Sequence, residues 1–240
     1  MDKKKIMDRI IAAVLVLLLL ISLLFLFRWY SKYKKGTDFY KDTSGKYTDD
    51  SDGDFNVDLE ALQKVNPDVK GWIYIEGTNI SYPLLWSGDD DTYLRHTYTG
   101  SYSVLGSILI WEQNNPDFSD KNTLIFGHNT WNGQMFGDLK NYQQQSFYED
   151  HPTICIITPD GTRKYSIISA YKTTTASDIY TSSFTDDEQY SSWLKDKVGR
   201  SLVKTDKETV TGSEQTIVLS TCTGHNSSGR FVVVAELINS

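Results

Sequence analysis

A single cysteine closes a β-prone run, Thr216-Ile217-Val218-Leu219-Ser220-Thr221-Cys222. Small polar residues follow it. Arg230 then opens a second apolar run, Phe231-Val232-Val233-Val234-Ala235. Far upstream, Thr123-Leu124-Ile125-Phe126 ends in Gly127-His128-Asn129. A thiol, an imidazole and a guanidinium at the mouths of strands are the parts needed for thiol acyl transfer. The thiol attacks a carbonyl, the imidazole handles protons, and the guanidinium with backbone N–H groups holds the oxyanion. A free cysteine ionises near pH ~8.5, so its thiolate needs a nearby cation at neutral pH. Arg230, always charged and presenting a rigid donor fork, is expected at the substrate carbonyl beside the backbone N–H of Thr223. By strand alternation one of Ser220 and Thr221 faces the same groove. His225, three residues past Cys222 on a Gly/Ser-rich loop, is the weaker candidate base. His96 and His151 read as surface residues.

The elements that must position these groups are mostly short strands. Residues 72–75 and 80–85 flank a turn containing Gly77 and read as a hairpin. Further strands are expected at 107–110, 123–126, 153–158, 164–171, 216–220 and 231–237. Pro159-Asp160-Gly161 is a turn, because Pro presets φ and Gly supplies a positive φ. Leu59, Leu62 and Val65 lie at helical spacing before Pro67. Helical interruptions are expected at 89–96, 135–142 and 186–198. Eight short strands with few helices predict a mainly β fold, a barrel or sandwich with helical insertions.

Before this domain lies a membrane signal. Residues 10–27 are uncharged and apolar apart from Ser22, 18 residues in all, at the lower limit for a spanning helix. Trp29 and Tyr30 stand where an interfacial aromatic belt belongs. No small-residue cleavage site follows, which favours an uncleaved anchor over a signal peptide. The expected division is a tail at 1–9, a transmembrane anchor at 10–27, a flexible stalk at 28–54 and a catalytic domain at 55–240. The stalk is read from the polar, Gly/Ser/Asp-rich composition of 36–54. Four basic residues on each side of the span leave the positive-inside rule undecided.

Residues 1–35 hold eight basic and two acidic side chains, net +6, so the rest of a chain of net −7 carries −13. So acidic a domain argues against nucleic-acid binding, which needs a basic footprint. Two cysteines are too few for a disulfide scaffold; Cys155 reads as a small hydrophobe in a buried strand. No His/Cys/Asp cluster has metal-ligand spacing, and no cofactor is expected. The triplet Asp89-Asp90-Asp91 reads as a solvated helix N-terminus.

The ordered motifs resemble a class B sortase. They are Leu219-Ser220-Thr221-Cys222 with Arg230, Phe126-Gly127-His128-Asn129, Asn66-Pro67-Asp68-Val69-Lys70-Gly71-Trp72-Ile73, Gly77-Thr78-Asn79-Ile80-Ser81-Tyr82-Pro83, and Asp89-Asp90-Asp91-Thr92-Tyr93-Leu94. A long insertion at 176–213 adds to the likeness, which covers residues 55–237. The resemblance implies a closed eight-stranded β-barrel and an extracytoplasmic, membrane-anchored transpeptidase of Gram-positive-type bacteria. Such an enzyme cleaves a C-terminal sorting motif of secreted proteins after Thr and passes the acyl group to a peptidoglycan amine. It implies Cys222 as nucleophile, His128 as general acid and base, and Arg230 at the oxyanion. Leu94 and Tyr180 match positions that line the substrate groove in relatives. Here the loop 223–229 carries no carboxylate, so the sequence offers no acidic partner for Arg230 within it. Three alternatives stay open: a pilin-polymerising sortase that uses a lysine acceptor, a plain cysteine protease with water as the final acceptor, and a non-catalytic extracellular scaffold module.

Overall fold

A computed structural model describes residues 3–51, 55–224 and 228–238. The chain opens with α1 (Lys3–Tyr47), then the short pair β1 (Thr48–Asp49) and β2 (Asn56–Val57), and α2 (Leu59–Val65). The side chain of Asp58 caps α2 by accepting from the Ala61 N–H at 2.9 Å. Eight strands follow: β3 (Val69–Tyr74), β4 (Ser81–Leu85), β5 (Ile108–Ile110), β6 (Asn122–Phe126), β7 (Thr153–Thr158), β8 (Gly161–Thr174), β9 (Thr216–Cys222) and β10 (Gly229–Leu237). They close into one barrel in the order β10-β8-β7-β3-β4-β5-β6-β9, so no edge strand is left unpaired. β4–β5 and β6–β9 run parallel. The eight strands expected from the sequence are these eight, with adjusted ends.

Alternation along the strands builds two apolar layers. Ile125, Leu219 and Val233 point into the barrel core, with Ile73, Ile108 and Phe231. Leu124, Val218, Val232 and Val234 point outward, under Tyr190, Trp193 and Leu194 of α4 (Asp187–Gly199). The helix expected at 186–198 is α4; that expected at 135–142 is a 3-10 turn over Gly137–Gln143, followed by α3 (Gln145–Asp150).

Two expectations are corrected. Residues 89–96 form turns, not a helix. Asp89 Oδ1 accepts from the N–H groups of Asp91 and Thr92 at 2.9 and 2.7 Å, which closes the chain locally instead of launching a helix. The segment read as a flexible stalk is helical as far as Tyr47. Gly36, Tyr40, Thr43 and Tyr47 recur at helical spacing and are buried against the barrel. Tertiary burial of that stripe offsets the poor helix propensity of a Gly/Ser/Thr-rich stretch. Residues 52–54 lie outside the described residues.

Candidate active site

The parallel pairing of β6 with β9 decides where the chemistry sits. Phe126 faces Ser220 in register, so both strands end at the same rim of the barrel. His128 lies two residues beyond Phe126, and Cys222 two beyond Ser220. β10 runs antiparallel to β9, with Arg230 directly across from Cys222. Cys222, Arg230 and His128 share the parity of the outward rows Val218, Val232 and Leu124. The site is therefore on the outer face of the barrel rim, beside the 176–213 insertion and not in the interior. A cleft of about 240 Å³ joins Leu94, Ser107, Phe126, His128, Cys222 and Arg230.

His128 is held by one bond: its Nε2 lies 2.8 Å from the carbonyl oxygen of Leu94. A carbonyl only accepts, so Nε2 carries the hydrogen and Nδ1 holds the lone pair of the neutral ring. Gly106 makes this approach possible. Its φ is +59°, and a Cβ there would stand 2.3 Å from the Leu94 oxygen and 3.1 Å from His128 Cδ2. Burial lowers the pKa of His128; the Leu94 bond opposes this, and the Arg95 cation adds to it. The folded state thus binds a proton less readily than the unfolded chain. Between the two pKa values the unfolded state holds more protons, so stability falls as pH drops through about 6.5, the unfolded histidine value. His128→Gln should remove that slope, leaving thermal unfolding less acid-sensitive than in the wild type. An NMR titration of His128 should give a midpoint below the ordinary value.

Cys222 is half-buried and its sulfur is a free thiol, as is that of Cys155 on β7, a strand not adjacent to β9. Asn129 Nδ2 donates to the Cys222 carbonyl at 2.7 Å, which ties the residue after His128 to the end of β9. Nothing local to the Gly127-His128-Asn129 run signals this tie, because Asn129 and Cys222 are 93 residues apart. Ser220 shares the outward face of Cys222, and its Oγ lies 3.0 Å from the Tyr180 hydroxyl. Thr221 instead donates to the Gly127 carbonyl at 2.7 Å, a second β9–β6 tie. Both residues also line the cleft. Leu94 exposes 42% of its surface in the cleft wall. Tyr180 stacks on Phe126, a cleft-lining residue, with ring centroids 6.1 Å apart. Burial raises its pKa, while the Ser220 bond and the Arg230 cation act the other way.

Thr223 departs from expectation. Its N–H donates to the Gly229 carbonyl at 3.1 Å, so it closes the β9–β10 hairpin and is committed away from an oxyanion. Arg230 Nη1 donates to the same Gly229 carbonyl at 2.9 Å. His225 lies outside the described residues. The Asp89–Asp91 triplet is not idle surface, because Asp90 and Asp91 line the cleft. Burial raises the pKa of Asp90, against the Glu112 N–H that donates to its Oδ1 at 2.9 Å.

The Tyr180 segment is pinned from behind. Lys197, fully buried, donates to Asp178 at 2.6 Å and Asp196 at 2.7 Å, and Trp193 Nε1 donates to the Asp178 carbonyl at 2.8 Å. Asp178→Ala should leave the buried ammonium with one carboxylate and cost about 1–2 kcal/mol, discounted because Asp178 is itself exposed. Thermal unfolding would register that loss.

A strand-borne thiol, imidazole and guanidinium around one cleft, on a closed mixed barrel, define a thiol acyl transferase. The comparisons with known proteins make this specific. A sortase domain model matches residues 73–238. Sortase B of Listeria monocytogenes is 34% identical over 225 residues, covering 87% of this chain and 91% of its own. Sortase B of Staphylococcus aureus is 34% identical over 182 residues, 75% of this chain and 74% of its own. The crystal structure of sortase B from Bacillus anthracis superposes with a TM-score of 0.77 at 29% identity, over 88% of this chain and 100% of its own. A Staphylococcus aureus sortase B–substrate complex superposes with a TM-score of 0.71 at 29% identity, over 88% of this chain and 97% of its own. The chain belongs to the sortase family, as a class B sortase-type cysteine transpeptidase. That membership sets aside the non-catalytic scaffold alternative.

Proposed function

We propose that this transpeptidase is anchored by residues 10–27 with its barrel, residues 55–240, outside the cell. There it cleaves a C-terminal sorting motif of secreted proteins after Thr and hands the acyl group to a peptidoglycan amine. The observation that carries the reading is the convergence of Cys222, His128 and Arg230 on one cleft. α1 supports the anchoring: it is long and apolar enough to cross a membrane, with mean hydropathy 3.4 over its most apolar stretch, none of it buried in the protein.

His128 takes the Cys222 thiol proton, and the resulting thiolate attacks the Thr carbonyl and forms a C–S bond. The carbonyl oxygen becomes an oxyanion, which the Arg230 guanidinium stabilises. Collapse of this intermediate breaks the C–N bond, and His128 protonates the departing amine. The product is a Cys222 thioester. An incoming amine attacks it, His128 takes the proton, and the Cys222 thiolate leaves. Ser220, Thr221, Leu94 and Tyr180 form or back the groove that aligns the peptide. With the Thr223 N–H committed to the hairpin, the oxyanion falls to Arg230 in this arrangement.

Intact-mass spectrometry of the full chain in detergent tests the proposal, using peptides that contain Thr-Gly or Thr-Asn. An adduct on Cys222 that an added peptidoglycan-type amine discharges is the expected result. Discharge only by a lysine of a second protein subunit, giving covalent ladders, would favour the pilin-polymerising alternative. Peptide cleavage with Cys222 never modified would overturn the mechanism.

A further inference from the structure

One exposed aromatic residue is unused by the chemistry. Trp131 exposes 61% of its surface on the turn that begins just after His128. Its ring stacks on Trp29 of α1, with centroids 5.9 Å apart and planes 25° from parallel. Trp29 stands two residues past Phe27, the last residue of the apolar run. The barrel therefore touches the anchor helix at the level where that helix leaves the hydrocarbon.

Nor does the helix stand off from the barrel above this point. Asn132 Nδ2 donates to Thr37 Oγ1 at 3.4 Å. Gly36 packs so closely that a Cβ would meet Leu105 Cδ1 at 2.8 Å. The Tyr40 hydroxyl donates to the Gly106 carbonyl and lies 3.0 Å from Ser107 Oγ. Trp29 and Tyr40 are about 16 Å apart along the axis at 1.5 Å per residue. The docking thus spans the first turns beyond the membrane and reaches Gly106 and Ser107, beside the His128 wall.

We propose that Trp131 is a second membrane contact: the turn after His128 rests in the lipid–water interface beside Trp29 and holds the cleft at the membrane surface. This rests on the reading that α1 spans the membrane. The occupant is the bilayer interface, for three reasons. Indole rings prefer that layer, with an apolar body and a polar N–H. Trp131 is continuous with the interfacial aromatic of the anchor itself. Next to Trp29 on α1 the chain changes sign: Arg28, Lys32 and Lys35 are exposed on a chain of net −7. A groove of about 250 Å³ between Lys32, Lys35 and the exposed Tyr102 opens at this end, where anionic headgroups would meet the two ammonium groups.

The test uses the full chain in phosphatidylglycerol/phosphatidylcholine vesicles, with and without acyl chains brominated near the headgroup. Trp29→Phe is compared with Trp29→Phe/Trp131→Phe, so the two proteins differ in one indole. The expected result is that brominated lipid quenches the first and that nearly all of this quenching is lost in the second, while both float with the vesicles. If both float but the bromine quenching is equal, and Trp131 emission is quenched by aqueous iodide, the interface contact is overturned and the anchor stands. Failure of either protein to float overturns the anchor and the contact together. Cleavage of a soluble peptide should be the same in both, since Trp131 is not among the residues that line the cleft.

Discussion

Cys222→Ala is expected to give a folded protein that forms no thioester and whose peptide cleavage falls by about 10⁴- to 10⁶-fold, the range seen when a covalent nucleophile is removed. The fold should survive for a specific reason. The ties at this end of β9 run through the Cys222 backbone, with Asn129 donating to its carbonyl at 2.7 Å and Arg230 paired across the ladder. Neither needs the sulfur. Alanine removes the only atom that can attack a carbonyl from this position and leaves the barrel rim as it was. The decisive comparison is intact mass with a Thr-containing peptide. An adduct must appear on the wild type and be missing from the variant, with unfolding midpoints within a degree or two of each other. A persistent adduct in Cys222→Ala would move the chemistry elsewhere in the chain.

Arg230→Lys should lose about 10²- to 10³-fold in kcat, although the charge is kept. Arg230 sits opposite Cys222 on β10, and its Nη1 is oriented by the Gly229 carbonyl at 2.9 Å. The planar guanidinium is a rigid fork of N–H donors suited to an oxyanion. A lysine is a point charge on a flexible stem and cannot hold the bond to Gly229 and the oxyanion at one geometry. The loss should fall on kcat more than on KM, because the interaction strengthens only as charge develops on the carbonyl oxygen. The alternative is an Arg230 that binds substrate in the ground state, in which case KM would rise with kcat nearly unchanged. A further consequence concerns Thr223. Its N–H serves the hairpin at 3.1 Å from the Gly229 carbonyl, which leaves Arg230 with more of the oxyanion to carry.

How much of this was legible in the residues depends on the range over which each signal acts. The strands were readable because a strand announces itself within a few residues: 216–220 and 231–237 carry their apolar alternation and β-branched content locally. The helix at 186–198 was readable for the same reason, with Tyr190, Trp193 and Leu194 on one face. The turns at 89–96 were not, because a run of acids before Thr92 and Tyr93 resembles a helix start. Only the three-dimensional arrangement shows Asp89 taking two N–H groups into a local turn and Asp90 half-buried at the cleft. The task of Asn129 was also hidden, since its partner lies 93 residues away.

By itself the sequence determined that a thiol, an imidazole and a guanidinium end three strands behind an apolar helix, because those facts are local. Tertiary structure decided which strands are neighbours. The parallel β6–β9 pairing carries His128 to the side of Cys222, and strand parity puts both outside the barrel. It also decided that 36–47 is a docked helix and not a stalk. Composition averages away the spacing of Gly36, Tyr40, Thr43 and Tyr47, and a short polar helix is stable only when such a stripe finds a surface to bury it.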